Sequence, residues 1–193
     1  MEHLGIYADL VDAARRQSRL RPPVGPGPAL QREIRDVLGF ADDGGVPDDV
    51  RLERSWEDDG LAGEEVSWSL GYGPRTRAWV LRPRDATGPL PGVVALHCHS
   101  GVKTYGKEKI ARGPQPVSAD VLPLHELYYG GRPWANALAR QGFVVVVPDA
   151  FLWSSRRFPL ETMPERMQKL GALSAQADGV PDQAYERAAR LHE

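Results

Sequence analysis

The chain has 193 residues, 41% of them hydrophobic and 26% charged, enough for a globular domain with a core of its own. A formal net charge of -2 with scattered basic residues argues against a nucleic-acid surface, and no run approaches the roughly 18 apolar residues of a membrane-spanning helix. The single cysteine, Cys98, excludes an intramolecular disulfide, and the N-terminus MEHLGIYADLVDAARRQ lacks the unbroken apolar core of a signal peptide, so a cytoplasmic protein is expected.

Residues 4–17 read as a helix, with Leu4, Tyr7, Ala8, Leu10 and Val11 at helical spacing. RPPVGPGP, 21–28, is a breaker-rich connector. A second helix follows in ALQREIRDVLGF, with Leu30, Ile34 and Leu38 on one face, and ADDGGVPDD, 41–49, reads as a turn. Residues 1–45 are therefore expected to form a helical segment separate from residues 46–193.

The apolar period then changes to two. In EEVSWSLGYG, Val66, Trp68 and Leu70 alternate with serines, the pattern of a half-buried strand. A turn at GPR and a second strand in TRAWVLRP complete an antiparallel hairpin. PGVVAL, 91–96, and FVVVVPDA, 143–150, are short apolar runs without alternation, as expected of parallel central strands covered on both faces. Between them, RPWANALARQG places Pro133 in a first helical turn and Gly142 at a C-terminal cap. A βαβ unit with a right-handed crossover is predicted. TMPE sets Thr162 and Glu165 at capping-box spacing for a short helix, and a last helix begins at Pro181 and runs to Glu193 without a stop signal.

The chemistry concentrates in ALHCHSGVKTYGKEKI, 95–110. Three readings are open. His97 and His99 are two apart and share a strand face, as a metal pair would, with His125 and Asp149 as further donors. Cys98 or Ser100 could be a nucleophile, but adjacent strand residues face opposite ways, and neither G-x-S-x-G nor G-x-C-x-G occurs in the chain. A buried apolar role suits Cys98 better. HCHSG leaves an apolar strand abruptly and contains a glycine, as a loop presenting backbone N–H groups to a developing oxyanion should. Only four of the 24 basic residues are lysines, Lys103, Lys107, Lys109 and Lys169, and the arginine excess reads as codon bias.

The order PGVVALHCHSG, YGKEKIA, WANALARQGFVVVVPDAF resembles the N-terminal half of an α/β-hydrolase, most closely the dienelactone-hydrolase and acetyl-xylan-esterase-like branch, over roughly residues 60 to 160. The resemblance implies an eight-stranded, mostly parallel sheet with helices on both faces, and hydrolysis of a small-molecule carboxylic ester by a Ser-Asp-His triad. It implies no cofactor and no metal. It assigns His97, His99, Ser100 and Gly101 to the oxyanion loop, with Ser100 or Gly101 donating one N–H, and makes Asp149 structural. Tyr105, Lys107, Arg156 and Arg157 become candidate pocket residues near the strand ends, where open α/β sheets bind ligands. Both arginines also fit a solvated loop, and Lys107 a pairing with Glu108.

The departure from the family is the absence of the nucleophile elbow, and with it of any assignable acid or base. The expectation is an α/β fold consisting of the N-terminal part of a hydrolase sheet, a hairpin followed by a βαβ unit, incomplete without its C-terminal half and inactive alone. The apolar strand GVVALH would leave an open edge, a template for self-association or for the missing half. The alternatives are a metal-dependent hydrolase using His97 and His99, and the non-catalytic half of a split or partner-binding protein.

Overall fold

The computed structural model describes residues 13, 15, 16, 25–39, 46–71, 73–179 and 181–192. The helix expected over residues 4–17 lies outside them except at 13, 15 and 16, which are helical. The chain divides into two compact units, Met1–Gly45 and Val46–Glu193. In the first, α1 (Pro28–Leu38) begins on a proline and stops at Gly39, whose positive φ of 69° closes the last turn onto Asp36 O. None of its residues is buried.

The second unit is a five-stranded mixed sheet in the order β1-β2-β3-β5-β4, formed by β1 (Asp48–Asp58), β2 (Leu61–Ser69), β3 (Thr76–Pro83), β4 (Gly92–Val94) and β5 (Val144–Pro148). β1, β2 and β3 form an antiparallel meander; β5 runs antiparallel to β3, and β4 runs parallel to β5. The described residues thus contain one parallel pair, where a mostly parallel sheet is the expectation. Asp48 and Asp49, read as turn, open β1.

The hairpin β2–β3 forms where TRAWVLRP predicts it, but β2 buries the opposite face from its apolar set. Leu61, Gly63, Glu65 and Ser67 are buried, whereas Val66 and Trp68 are half-buried. Register explains the inversion. Trp56 pairs with Gly63, and a Cβ at Gly63 would overlap the indole. Trp56 therefore lies across Gly63 and meets Trp79 edge-to-face, with centroids 6.0 Å apart. Because side chains alternate strictly along a strand, seating Gly63 there sends Leu61, Glu65 and Ser67 to the same side. The polar pair is then satisfied by arginines. Glu65 accepts from Arg54 Nε at 2.6 Å and Arg77 Nη1 at 3.3 Å, and Ser67 Oγ accepts from Arg75 Nη2 at 2.9 Å. A buried carboxylate without such partners would cost several kcal/mol.

The connection from β4 to β5 contains α2 (Leu122–Tyr129), which the sequence reading lacks, and α3 (Trp134–Arg140), entered from Pro133. Ala135 and Ala139 of α3 join Leu61, Trp79, Leu81, Ala95, Ile110, Ala111, Val145 and Val147 in the core. β5 alternates, with Val145 and Val147 buried and Val144 and Val146 half-buried. β4 is an edge strand on which Val94 is 68% exposed. Coverage on both faces, expected from the apolar runs, is therefore incomplete here.

α4 (Glu165–Ala177) and α5 (Ala184–His192) pack together through Gly171, where a Cβ would run into Ala188. The expected capping box does not form. Thr162 sits in a 3-10 turn and donates its Oγ1–H to Pro159 O at 2.7 Å, the helix is entered from Pro164 without a side-chain cap, and at 13 residues α4 is not short. The proline between Thr162 and Glu165 sends the chain into the helix from extended backbone. Among the described residues no helix is long and apolar enough to cross a membrane.

Gly63→Ala is expected to cost about 1–3 kcal/mol by displacing Trp56. Gly92→Ala, at a position with open space around it, is expected to stay within about 0.5 kcal/mol of the parent. Urea unfolding of both variants followed by tryptophan fluorescence checks the pair.

Candidate active site at the ends of the parallel strands

β4 and β5 run the same way, and the loops that leave them meet. Both loops are strained. Of the five non-glycine residues with positive φ among those described, Ser100 (φ 43°), Leu152 (φ 76°) and Ser154 (φ 46°) lie here, and Ser100 is followed by Gly101 at φ 70°. Each such residue costs on the order of 1 kcal/mol and persists only where its surroundings impose it.

Those surroundings are polar and largely buried. Asp149, which follows β5, is buried and accepts four hydrogen bonds. They come from the Lys107 backbone N–H (2.9 Å), Lys107 Nζ (2.9 Å), Ser155 Oγ (2.7 Å) and the Ser155 backbone N–H (3.3 Å). Gly106 makes room for the carboxylate, since a Cβ there would overlap Oδ1. Burial pulls the Lys107 pKa down, but Asp149 and Glu108, the latter at 3.1 Å, more than offset that, and the net shift is upward. Lys107, a candidate pocket residue by sequence, is thus a buried structural cation paired with both carboxylates.

His97 joins the two loops. Its Nε2 accepts the Ala150 backbone N–H at 3.0 Å, so the ring proton sits on Nδ1 and is donated to Cys98 O at 3.0 Å. Burial, the largest influence, keeps its pKa below the ordinary value. Both ring nitrogens being engaged, the metal reading loses its first ligand. His125 donates Nε2–H to Glu108 O at 3.0 Å, and Asp149 is taken by Lys107 and Ser155. Among the described residues no group of three or more His, Cys, Asp or Glu side chains is arranged to hold a metal ion.

His99 is held through its main chain. Its carbonyl accepts Lys109 Nζ at 2.9 Å and Trp153 Nε1 at 3.2 Å. In a trans peptide the following N–H points the other way, so the Ser100 N–H is turned from these donors, and it meets no protein acceptor among the described residues. The Gly101 N–H is occupied by His99 Nδ1 at 3.2 Å. Ser100 Oγ is buried without a partner. Beneath the loop the Trp153 ring carries Lys103 Nζ 3.3 Å from its centroid and Lys109 Nζ at 5.6 Å, a cation–π arrangement. Burial lowers the Lys109 pKa to about 8. From α5, Glu186 accepts the Lys103 and Thr104 backbone N–H groups at 2.5 and 2.8 Å and the Thr104 hydroxyl at 2.6 Å.

The remaining candidates separate. Tyr105 Oη shares a hydrogen bond with Ser118 Oγ at 2.8 Å. Arg156, only 5% exposed, is neither solvated nor open to a ligand; its Nη1 donates to Thr76 Oγ1 at 3.2 Å. Arg157 donates to Ser154 O at 3.1 Å, lies 5.5 Å from the Tyr185 ring and borders a cavity of about 410 Å³. Cys98 is half-buried, and burial first, with Cys98 nearby, raises the Tyr129 pKa to about 12. Lys109, Trp153 and Glu186 were missed by the sequence reading. The lysine count carried a signal, because three of four lysines in an arginine-rich chain fall within residues 103–109.

No family model matches the chain, and no curated protein does. Among solved structures, the chain is similar to a "putative acetyl xylan esterase" from Bacteroides fragilis, with a TM-score of 0.51, 13% identity, and coverage of 97% of this chain and 49% of that one. At that identity the likeness is one of fold alone, a mixed α/β architecture, and the chain spans about half the length of its structural neighbour.

Asp149→Asn is expected to destabilise the unit by about 3–5 kcal/mol, because Lys107 stays buried with Glu108 as its only carboxylate. Adding Lys107→Met to it should recover part of that loss in a urea-unfolding double-mutant cycle. The His97 pKa is lowered in the folded chain, so the unfolded chain takes up the proton first as pH falls. The His97 contribution is therefore full above the ordinary value of 6.5 and is lost below it. The drop in unfolding midpoint between roughly pH 7.5 and pH 5.5 is expected to shrink in His97→Gln.

Proposed function

We propose that this chain carries the oxyanion loop and N-terminal half of an esterase-like serine hydrolase acting on a small-molecule carboxylic ester. One observation carries the reading. The His99 carbonyl is pinned by Lys109 Nζ and Trp153 Nε1, which turns the Ser100 N–H away from those donors in the loop that leaves a parallel strand. In ester hydrolysis a serine oxygen attacks the carbonyl carbon, the C=O electron pair moves onto oxygen, and the tetrahedral oxyanion needs fixed donors. It then collapses, expels the alcohol and leaves an acyl-serine that water cleaves. A preset N–H with two buried ammonium groups beneath it favours that negative charge before the substrate arrives.

No G-x-S-x-G occurs in these 193 residues. In this reading the nucleophile, acid and base belong to a further segment, corresponding to the half of the structural neighbour outside the match. Its first strand would pair with the edge of β4, where Val94 and Leu96 are each 68% exposed.

The first measurement is the coding DNA beyond Glu193, read in three frames for an apolar strand followed by G-x-S-x-G. The chain extended by that segment is expected to hydrolyse p-nitrophenyl acetate. Its activity should vanish when the elbow serine becomes alanine, and kcat should fall on the order of tenfold in Lys109→Met with KM little changed. Absence of the segment, or an extended chain without esterase activity, overturns the proposal.

A further inference from the structure

We infer that His97 is an acid-sensitive latch between the two strand-end loops, closed while its ring is neutral and opened when Nε2 takes a proton. Main-chain pairing of β4 with β5 extends to the Ala95 N–H, which donates to Val146 O at 2.8 Å. The link beyond it runs through a side chain, the Ala150 N–H donating to His97 Nε2 at 3.0 Å. An amide N–H is always a donor, so this bond exists only while Nε2 keeps its lone pair. Protonation makes both ring nitrogens donors, and two N–H groups then face each other at hydrogen-bond distance.

The charges around the ring work against closure once it is protonated. His97 Nδ1 and Lys109 Nζ both donate to Cys98 O, at 3.0 and 3.5 Å, so a charged ring shares one carbonyl with an ammonium. Trp153 meets His97 edge-on, with centroids 5.9 Å apart, and carries Lys103 on its ring. The nearby carboxylates are Asp149, beyond β5, and Glu108, in the 107–109 turn. Asp149 is taken by Lys107 and Ser155, and Glu108 by Lys107 Nζ at 3.1 Å and the Gly106 N–H at 2.9 Å. Burial, the largest influence, and Lys109 disfavour the charged ring, while the Cys98 carbonyl and the two carboxylates favour it; the net shift is downward. The latch is therefore mostly closed at the ordinary histidine value of 6.5 and opens at more acid pH. Opening is local. The bonds from Trp153 Nε1 to His99 O and from the Ser154 N–H to Lys103 O contain no group that titrates in this range, and they hold the far part of both loops.

The latch involves no reacting substrate, so its test is independent of ester hydrolysis. The whole 193-residue chain, labelled with ¹⁵N, is taken from about pH 8 to about pH 5 while the histidine ring nitrogens and the Ala150 amide are followed by NMR. At the alkaline end the His97 proton is expected on Nδ1. On acidification His97 titrates below 6.5, and the Ala150 amide moves with the same midpoint and exchanges with water on the order of tenfold faster. The amides of β2 and β3 stay in place. Lys109→Met, which removes the neighbouring cation, raises the His97 midpoint. In His97→Gln, whose side-chain carbonyl accepts the Ala150 N–H at every pH, that amide no longer titrates. Should either variant not fold, the parent titration decides alone. The proposal is overturned by a His97 proton found on Nε2 at the alkaline end, by an Ala150 amide that does not follow His97, or by one that changes only as the β2 and β3 amides are lost. A folded Lys109→Met with an unraised midpoint, or a folded His97→Gln whose Ala150 amide still titrates, overturns it as well.

Discussion

The strand-end site depends on one buried carboxylate. Asp149 leaves β5 into a region from which water is excluded, where an unpaired charge would cost several kcal/mol. Satisfying it requires Lys107 to fold back as a cation and Ser155 to turn in, with Gly106 bringing the backbone close. Those demands bend the loops after both parallel strands at once. With Asp149 fixed, the next residue, Ala150, presents its N–H to His97, and Ser154 donates its own N–H to Lys103 O at 2.9 Å. Positive φ at Leu152 and Ser154 is the local cost of that closure.

The lysines around this carboxylate are a different population from the arginines. Lys103, Lys107 and Lys109 are 1%, 3% and 0% exposed, while the arginines of the meander largely face solvent or span its surface ion pairs. A guanidinium is planar and broad, whereas an ammonium is a compact charge on a slender stem and can point at a carbonyl, a ring or a carboxylate in a narrow space. All three uses are present: Lys109 at the His99 carbonyl, Lys103 above Trp153, Lys107 against Asp149. Shape is a reason for lysine at these three buried positions.

What the sequence made legible was the periodicity, and what it concealed was pairing. The β2–β3 hairpin and the apolar runs of β4 and β5 follow from alternation and β-branched composition, and α3 from its proline and glycine boundaries. The inward face of β2 does not, because it is decided by Gly63 accepting Trp56 from another strand, a contact no single-strand pattern contains. β1 escaped for a related reason: Val50 and Leu52 alternate correctly but remain exposed, among acidic residues that read as a turn. At the site, the stretch 95–110 stands out in the sequence because it gathers two histidines, the single cysteine and three of the four lysines. Lys109 and Trp153 reach His99 from 10 and 54 positions away, Glu186 reaches Lys103 from more than 80, and only the fold brings them together.

Distance in sequence also explains how so strained a loop is held. The His99–Ser100 peptide plane is set by distant residues, with the carbonyl facing Lys109 and Trp153 and the following N–H turned the other way. A loop ordered by its own short-range bonds would relax when a ligand pulled on it. Here the restraints come from β5 through His97, from the 107–109 turn through Lys109, and from α5 through Glu186 at Lys103 and Thr104. For the His99–Ser100 peptide to turn over, Lys109 Nζ and Trp153 Nε1 would both have to release the His99 carbonyl. A donor fixed in this way need not reorganise when charge develops beside it, which is what the proposed function asks of the Ser100 N–H.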